Sequence, residues 1–322
     1  MPLCKNPYMA GNIPCPCGKC MPCLINRKRL WTHRILLESY GHEHSSFITL
    51  TYSDDNLFYN NGIHPTLNPI HLQNFLKRIR RSVSPIKLRF YGVGEYGDKS
   101  WRPHYHLALF GYEPCYRGKT RQDLLAKGNS CCLPCDRLHK TWGLGGIDNA
   151  NIESASAGYV AGYVTKKLTK QDDPRLEGRY PEFSRMSRKP GIGAIQIQVI
   201  ADALQSQFGQ SMLTEHGDVP VSLNHGTRSL PLGRYLRDKI RDLMEFEEVY
   251  DIHTGELKYA PKVKATEEYK TQMLSMWLDA LKDEEIQPKN KVTLKHLIQH
   301  QDKQKIINLE QRTNLKRKEK KL

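Results

Sequence analysis

Two histidines flank a tyrosine at His104-Tyr105-His106, and the apolar run Leu107, Ala108, Leu109 and Phe110 follows them. In an extended strand successive side chains alternate, so His104 and His106 project from one face and Tyr105 from the other. Glu95 lies nine residues earlier, near the end of a preceding strand, and the turn Gly97-Asp98-Lys99-Ser100 can bring its carboxylate beside the imidazoles. Two neutral nitrogens and one carboxylate leave positions open on a divalent ion for water or a phosphate oxygen. Taken alone, a His-x-His pair is more often two half-exposed strand histidines. A second feature changes that balance: Tyr159-Val-Ala-Gly-Tyr163-Val-Thr-Lys166-Lys167. On a helix, residues four apart share a face, so Tyr159 and Tyr163 present two phenols on one stripe that Lys166 and Lys167 extend by a turn. Two equivalent nucleophiles beside cations suit phosphoryl transfer to a hydroxyl, although a phenol of pKa about 10 needs a polarised phosphate, a proton acceptor or a nearby cation to react near neutrality. By themselves two such tyrosines would be read as packing a helix onto a sheet.

The cysteines form a separate signal. Of nine in the chain, five fall within the first 23 residues, at Cys4, Cys15, Cys17, Cys20 and Cys23. Short spacings broken by Gly and Pro let a knuckle fold back so that thiolates converge on one ion, and four sulfurs suit a structural Zn2+. Cys17, Cys20 and Cys23 lead as ligands, with Cys4 or Cys15 as the fourth; free thiols in a leader are the plainer reading. Residues 112–140 read as an insertion holding Cys115, Cys131, Cys132, Cys135 and His139. A second metal site is open there, but the irregular spacing favours ordinary buried or free thiols.

These groups need elements to hold them. The pattern predicts a helix over 24–40, apolar on one side and basic through Arg27, Lys28, Arg29 and Arg34, and a strand over 46–52 in Ser-Phe-Ile-Thr-Leu-Thr-Tyr. A second helix over 68–81 has Leu72, Phe75, Leu76 and Ile79 on one face and Lys77, Arg78, Arg80 and Arg81 on another. Strands over 87–96 and 103–111 form a hairpin, a short strand ends near Ile152, and a helix over 154–170, capped by Ser154 or Ser156, carries the tyrosines. The fold class is therefore α+β: an antiparallel sheet flanked by helices, with an N-terminal Cys-rich zinc knuckle and a helical C-terminal region. The expected organisation is a Cys-rich segment over 1–23, a catalytic domain over 24–205, a mainly helical region over 206–311 with helices at 230–247 and 266–281, and a basic tail over 312–322.

Across 322 residues, 49 Lys and Arg against 34 Asp and Glu leave a net charge of +15, which favours a polyanionic partner through counterion release. At 39% hydrophobic and 26% charged, the chain has material for one or two packed cores. No apolar run approaches the roughly 18–20 residues of a spanning helix, and the first 23 residues lack a signal-peptide core, so no membrane partner and a cytosolic location are expected. The basic, turn-rich stretch 179–195, with Arg185, Arg188 and Lys189 before Pro190-Gly191-Ile192-Gly193, could grip a single DNA strand with side-chain cations and exposed amides, or be a solvated loop.

The order Phe-Ile-Thr-Leu-Thr-Tyr, Gly-Glu-Tyr-Gly, Arg-Pro-His-Tyr-His-Leu-Ala-Leu-Phe-Gly, Tyr-Val-Ala-Gly-Tyr-Val-Thr-Lys-Lys resembles the HUH-family initiators of rolling-circle replication. With Pro-Cys-Gly-Lys-Cys-Met-Pro-Cys in front and Phe-Ser-Arg-Met-Ser-Arg-Lys-Pro-Gly-Ile-Gly behind, it is similar to those of the Microviridae, gokushovirus type, over roughly residues 4–193. The joint occurrence of the His-x-His strand and the two-tyrosine helix is the most specific part. The resemblance implies a ferredoxin- or RRM-like HUH domain in which His104, His106 and Glu95 hold Mg2+ or Mn2+, Tyr159 and Tyr163 are alternating nucleophiles, and Lys166 or Lys167 steadies the phenolate or the phosphorus. It implies a nicked origin, a 5′-phosphotyrosine link, a 3′-hydroxyl that primes synthesis, and later rejoining. The implied partners are single-stranded and replicative-form circular DNA with host helicase and polymerase, in the bacterial cytoplasm. A zinc-dependent DNA-binding regulator without catalysis, or a two-tyrosine transposase, are the competing readings.

Overall fold

The structure is a computed structural model that describes residues 4–10, 13–60, 62–162, 172–206, 208–209, 213, 219–225, 227–244, 246–250, 257–261 and 305–307. The chain forms two units, Lys28–Ile197, and Met1–Arg27 with Gln198–Leu322. Tyr8–Ala10 (β1) and Ile13–Cys15 (β2) pair antiparallel ahead of the helix Met21–Tyr40 (α1). Then come Ser45–Thr51 (β3), Pro69–Ser82 (α2), Arg89–Tyr96 (β4), Pro103–Phe110 (β5), Gln122–Leu125 (α3) and Leu133–Trp142 (α4). Ile147–Asn151 (β6), Ser154–Gly162 (α5), Phe183–Met186 (β7) and Ile197–Gln205 (α6) follow. The C-terminal elements are Ser222–His225 (β8), Arg228–Pro231 (β9), Gly233–Leu243 (α7), Phe246–Tyr250 (β10) and Leu257–Pro261 (β11).

A five-stranded sheet in the order β6-β3-β5-β4-β7, with every neighbouring pair antiparallel, organises the unit Lys28–Ile197. The His-Tyr-His strand β5 lies in its centre. Alternation in β3 buries Ser46, Ile48 and Leu50 and leaves the residues between them partly exposed. On that buried face Ile48, Leu50, Tyr105, Leu107 and Leu109 join Leu72, Phe75, Leu76 and Ile79 of α2 and Leu138 and Trp142 of α4 in one apolar cluster. Leu72, Phe75 and Ile79 recur at helical spacing with 0–1% of their surface exposed, each contributing about 1.5–3 kcal/mol by leaving water. The start of α2 is well determined: the Asn68 side chain accepts from Ile70 N–H at 2.9 Å, and Pro69 occupies the first turn, where its missing N–H costs nothing.

Trp142 ties the far end of α4 to the sheet. Its indole N–H donates to Thr51 O at 2.8 Å, and its ring lies against Tyr52, Phe75 and Tyr105. The chain then turns through Gly145, at φ 149°, where a Cβ would sit 2.3 Å from Ser53 N and 2.4 Å from Thr51 O. Only glycine allows that approach, and it lets Thr51 N–H reach Gly146 O at 2.9 Å.

Several expectations shift. The 230–247 helix is Gly233–Leu243, because Leu230 and Pro231 belong to β9 and pair with Leu223 and Ser222. The described part of the C-terminal region thus holds two β-hairpins besides its helix. The expected helix over 266–281 and the tail over 312–322 lie outside the described residues. Ser154 and Ser156 are the first and third residues of α5, so neither is its cap, which falls on Glu153; the Ser156 hydroxyl accepts from Glu153 N–H at 2.7 Å, the return half of a capping box. Among the described residues no helix is long and apolar enough to cross a membrane.

Candidate active site

The register of the central strands assembles the site. Glu95 of β4 stands directly opposite His104, while Thr49 of β3 and Val93 of β4 stand opposite His106, so these side chains share the face turned away from α2. Glu95 Oε1 lies 2.8 Å from His104 Nε2 and 3.1 Å from His106 Nε2. Glu95 and His106 are buried, and His104 keeps an edge in solvent.

The opposite nitrogen of each ring is engaged as well. His104 Nδ1 lies 3.1 Å from Arg102 O, and His106 Nδ1 lies 3.0 Å from Thr49 Oγ1. A carbonyl oxygen only accepts, so His104 Nδ1 carries the proton, and in the neutral ring Nε2 then presents a lone pair toward the carboxylate. Two acceptors facing each other at 2.8 Å call for a cation between them, either a proton or a metal ion. The imidazole–imidazole–carboxylate set, with each ring oriented by a partner behind it, fits a divalent metal.

Tyr159 projects from α5 over this group. Its ring meets the His106 ring edge-on at 5.3 Å and the Phe47 ring at 6.1 Å, while Phe47 itself stacks on His106 at 5.6 Å and 10°. The tyrosine is 50% exposed, so it is held by aromatic contacts yet open to a ligand. A cavity of about 320 Å3 lies here, lined by Lys28, Glu95, Tyr96, Gly97, Asp98, His104, Tyr159 and Gly162. The predicted nucleophile and ligands His104 and Glu95 therefore share one opening, with His106 beneath Tyr159. Tyr163, Lys166 and Lys167 lie outside the described residues.

Three contributors escaped the sequence reading. By sequence Thr49 and Phe47 are plain strand residues, yet they alternate onto the histidine face. Lys28 was one of four cations on a basic helix, but α1 aims it at the cavity, with its Nζ 3.5 Å from where a Cβ of Gly162 would stand. Knowing that β3 pairs with β5 would have exposed the first two; no local signal separates Lys28 from its neighbours.

The middle residue of the motif faces the other way. Tyr105 Oη donates to Asn68 O at 2.9 Å, accepts from Asn68 N–H at 2.9 Å and lies 2.8 Å from Tyr52 Oη. Burial pushes its phenol up to about 12. Tyr105 thus bolts the start of α2 to the strand that carries the histidines.

In the basic stretch after the tyrosine helix the cations of 185–189 are exposed, while part of the backbone is used internally. Arg185 is exposed on the edge strand β7, with its guanidinium 5.5 Å over the Phe183 ring, and Arg188 and Lys189 are exposed in the turn beyond. Gly193 N–H donates to Glu38 Oε2 at 2.6 Å, and the Ile192 carbonyl accepts from Arg34 Nε at 2.8 Å. Glu38 is fully buried and also meets Arg89 and His42. Burial pushes its carboxyl up, but hydrogen bonds from His42, Arg89 and Gly193 outweigh that and hold it below the usual carboxylate range.

In the N-terminal segment, the sulfurs of Cys4, Cys17, Cys20 and Cys23 lie within 4.8 Å of one another. Cys4 is thus the fourth member, and Cys15 is not part of the group: it is the last residue of β2, paired with Tyr8, and the hairpin folds the chain back so that Cys4 reaches the knuckle. Cys17 N–H points at Cys4 Sγ at 3.2 Å, and Cys20 N–H at Cys17 Sγ at 3.4 Å. Amides of Lys19 and Cys20 hold the Cys17 thiol down to about 6. These sulfurs fit a tetrahedral Zn2+.

Known proteins share this pattern. Residues 45–168, from β3 through the tyrosine helix, match the family model for replication-associated protein ORF2/G2P. Replication-associated protein ORF4 of Chlamydia phage 1 is 30% identical over 251 residues, covering 74% of this chain and 57% of that protein. Replication-associated protein ORF2 of Spiroplasma virus 4 is 34% identical over 182 residues, 55% of each chain. Replication-associated protein VP4 of Bdellovibrio phage phiMH2K is 30% identical over 185 residues, 55% of this chain and 56% of that protein. The chain spans a little over half the length of these curated relatives. No solved structure matches. The strand of paired histidines, its opposing glutamate and the tyrosine above them lie within the matched segment, and through that segment the chain is similar to the replication-associated protein ORF2/G2P family.

Proposed function

We infer that the protein initiates rolling-circle replication by nicking a DNA strand and holding it as a phosphotyrosine. The observation that carries this reading is the placement of the half-exposed Tyr159 phenol beside His106, in the same opening as Glu95, His104 and Lys28. His104, His106 and Glu95 would hold Mg2+ or Mn2+, which when bound polarises a phosphate oxygen and favours attack at phosphorus. Thr49 and the Arg102 carbonyl keep both Nε2 atoms turned toward that position.

The chemistry then belongs to the side chains. Tyr159 Oη attacks the scissile phosphorus and gives up its proton, the phosphorus–O3′ bond breaks, and the departing 3′ oxygen takes a proton. The 5′-phosphotyrosine keeps the phosphodiester energy, so rejoining needs no nucleotide triphosphate. Lys28 adds positive charge on the side of the cavity where the strand would lie. Tyr163, four residues on, would serve the second cleavage, with Lys166 or Lys167 beside it; the sequence spacing carries these roles. The substrates are single-stranded and replicative-form circular DNA; a host helicase would part the strands and a host polymerase would extend the freed 3′-hydroxyl in the bacterial cytoplasm. The cysteine knuckle at Cys4, Cys17, Cys20 and Cys23 would hold a structural Zn2+.

Incubating the full chain with a single-stranded origin oligonucleotide and Mn2+, followed by a denaturing gel, tests the reading. A covalent adduct is expected, lost in Tyr159→Phe plus Tyr163→Phe and in His106→Ala, while His106→Ala still binds DNA in a salt-sensitive way. DNA binding without any adduct would favour a zinc-dependent regulator instead.

A further inference from the structure

The insertion between β5 and α4 gathers four more cysteines. Although the chain spacing of Cys115, Cys131, Cys132 and Cys135 looks irregular, their sulfurs lie within 4.8 Å of one another. Cys115 Sγ stands 3.8 Å from Cys132 Sγ and 4.0 Å from Cys131 Sγ. Four sulfurs at about 2.3 Å from a tetrahedral Zn2+ are separated by about 3.8 Å, whereas disulfide sulfurs approach to about 2.05 Å. The observed spacing is that of ligands around a common centre.

Polar groups face the sulfurs. Arg121 N–H points at Cys131 Sγ at 3.3 Å, Thr120 Oγ1 lies 3.5 Å from Cys135 Sγ, and Asn149 Nδ2 lies 3.9 Å from the same sulfur. Arg117 Nε donates to Cys131 O at 2.8 Å and brings a positive charge beside a group that would carry a net negative one. Cys115, Cys131 and Cys135 are buried and Cys132 is partly exposed, so the group is closed by protein on most sides, as structural metal sites are.

We propose that Cys115, Cys131, Cys132 and Cys135 bind a second structural Zn2+, which fastens the insertion to the start of α4. Cys115 follows the end of β5 by five residues, and Cys132 and Cys135 bracket the first turn of α4. An ion here joins the end of the histidine strand to the helix whose Trp142 supports the opposite face of the sheet. The same cluster reaches β6, because Thr120 Oγ1 accepts from Asn149 N–H at 2.8 Å. The metal is thus structural and remote from the nucleophile, and its presence does not depend on the nuclease reading.

Metal analysis of the purified full chain, with mass mapping of alkylated cysteines, tests the proposal. Two zinc ions per chain are expected in the wild type. One should remain in Cys17→Ser plus Cys20→Ser, which leaves the insertion intact, and one in Cys115→Ser plus Cys132→Ser. In the native wild type Cys132 should resist iodoacetamide despite its partial exposure and should react once a chelator has removed the metal. A single zinc that disappears in Cys17→Ser plus Cys20→Ser, a Cys132 that is alkylated without chelator, iron in place of zinc, or a disulfide-linked peptide from residues 115–135 would each overturn it.

Discussion

His104, Tyr105 and His106 show how one tripeptide serves two purposes. Strand alternation puts both imidazoles on the face that meets Glu95 and the phenol of Tyr159, and it puts Tyr105 into the opposite core, where it holds Asn68. Thr49 stands between these roles, since its hydroxyl contacts the ring nitrogen of His106 that does not face Glu95. Thr49→Val keeps the shape and removes that partner, leaving the ring free to turn. Its Mn2+ affinity is expected to fall about 10- to 100-fold, as for other partners behind metal-binding histidines. Isothermal titration with Mn2+ measures it, and a thermal melt checks that the fold persists. Wild-type affinity in a folded variant would remove Thr49 from the site.

At the scale of elements, Glu38 links α1 to β4 and to the loop after β7 through Arg89, His42 and Gly193. The pH dependence follows from its depressed folded-state pKa. Protonation is then easier in the unfolded chain, where a glutamate titrates near about 4.3, so the network contributes fully above that value and is lost as pH falls through the folded pKa. Glu38→Gln should cost about 3 kcal/mol at pH 7, the lower end for breaking a buried ion pair, because Arg89 keeps its bond to Pro190 O. Urea denaturation at pH 7 and pH 3 should show the gap between variant and wild type narrowing in acid. A gap of constant size would mean that the carboxylate's charge contributes nothing.

On the scale of the whole molecule, the net charge of +15 is spread unevenly. Lys28 lies at the cavity, and Arg185, Arg188 and Lys189 are exposed. Residues 312–322 add six basic residues against one acidic. The cations of the 312–322 segment carry no sequence information, so removing it should weaken binding equally for origin and unrelated single strands. The slope of log affinity against log salt should become shallower by at most about 4, at roughly 0.7 per phosphate contact on a single strand. Fluorescence anisotropy across a salt series checks this, and selective loss of origin binding would contradict it.

Residue chemistry and local periodicity point directly to the histidine pair, the start of the helix that carries Tyr159, the knuckle cysteines and the α+β class, because alternation in a strand and recurrence in a helix are written in the order of side chains. Local order also placed α2, whose cap, first-turn proline and apolar stripe all agree. What depends on chain segments far apart was not legible. The choice of Cys4 over Cys15 needed the β1–β2 hairpin, and the internal use of the Gly193 amide needed a buried glutamate 155 residues earlier. Strand pairing decided which threonine stands behind His106. The second cysteine cluster looked irregular because its order is set by the fold-back between Cys115 and Cys131, not by any repeat. Spacing along the chain encodes neighbours within one element; convergence of separate elements is decided by which apolar faces bury one another, and only the tertiary structure records that.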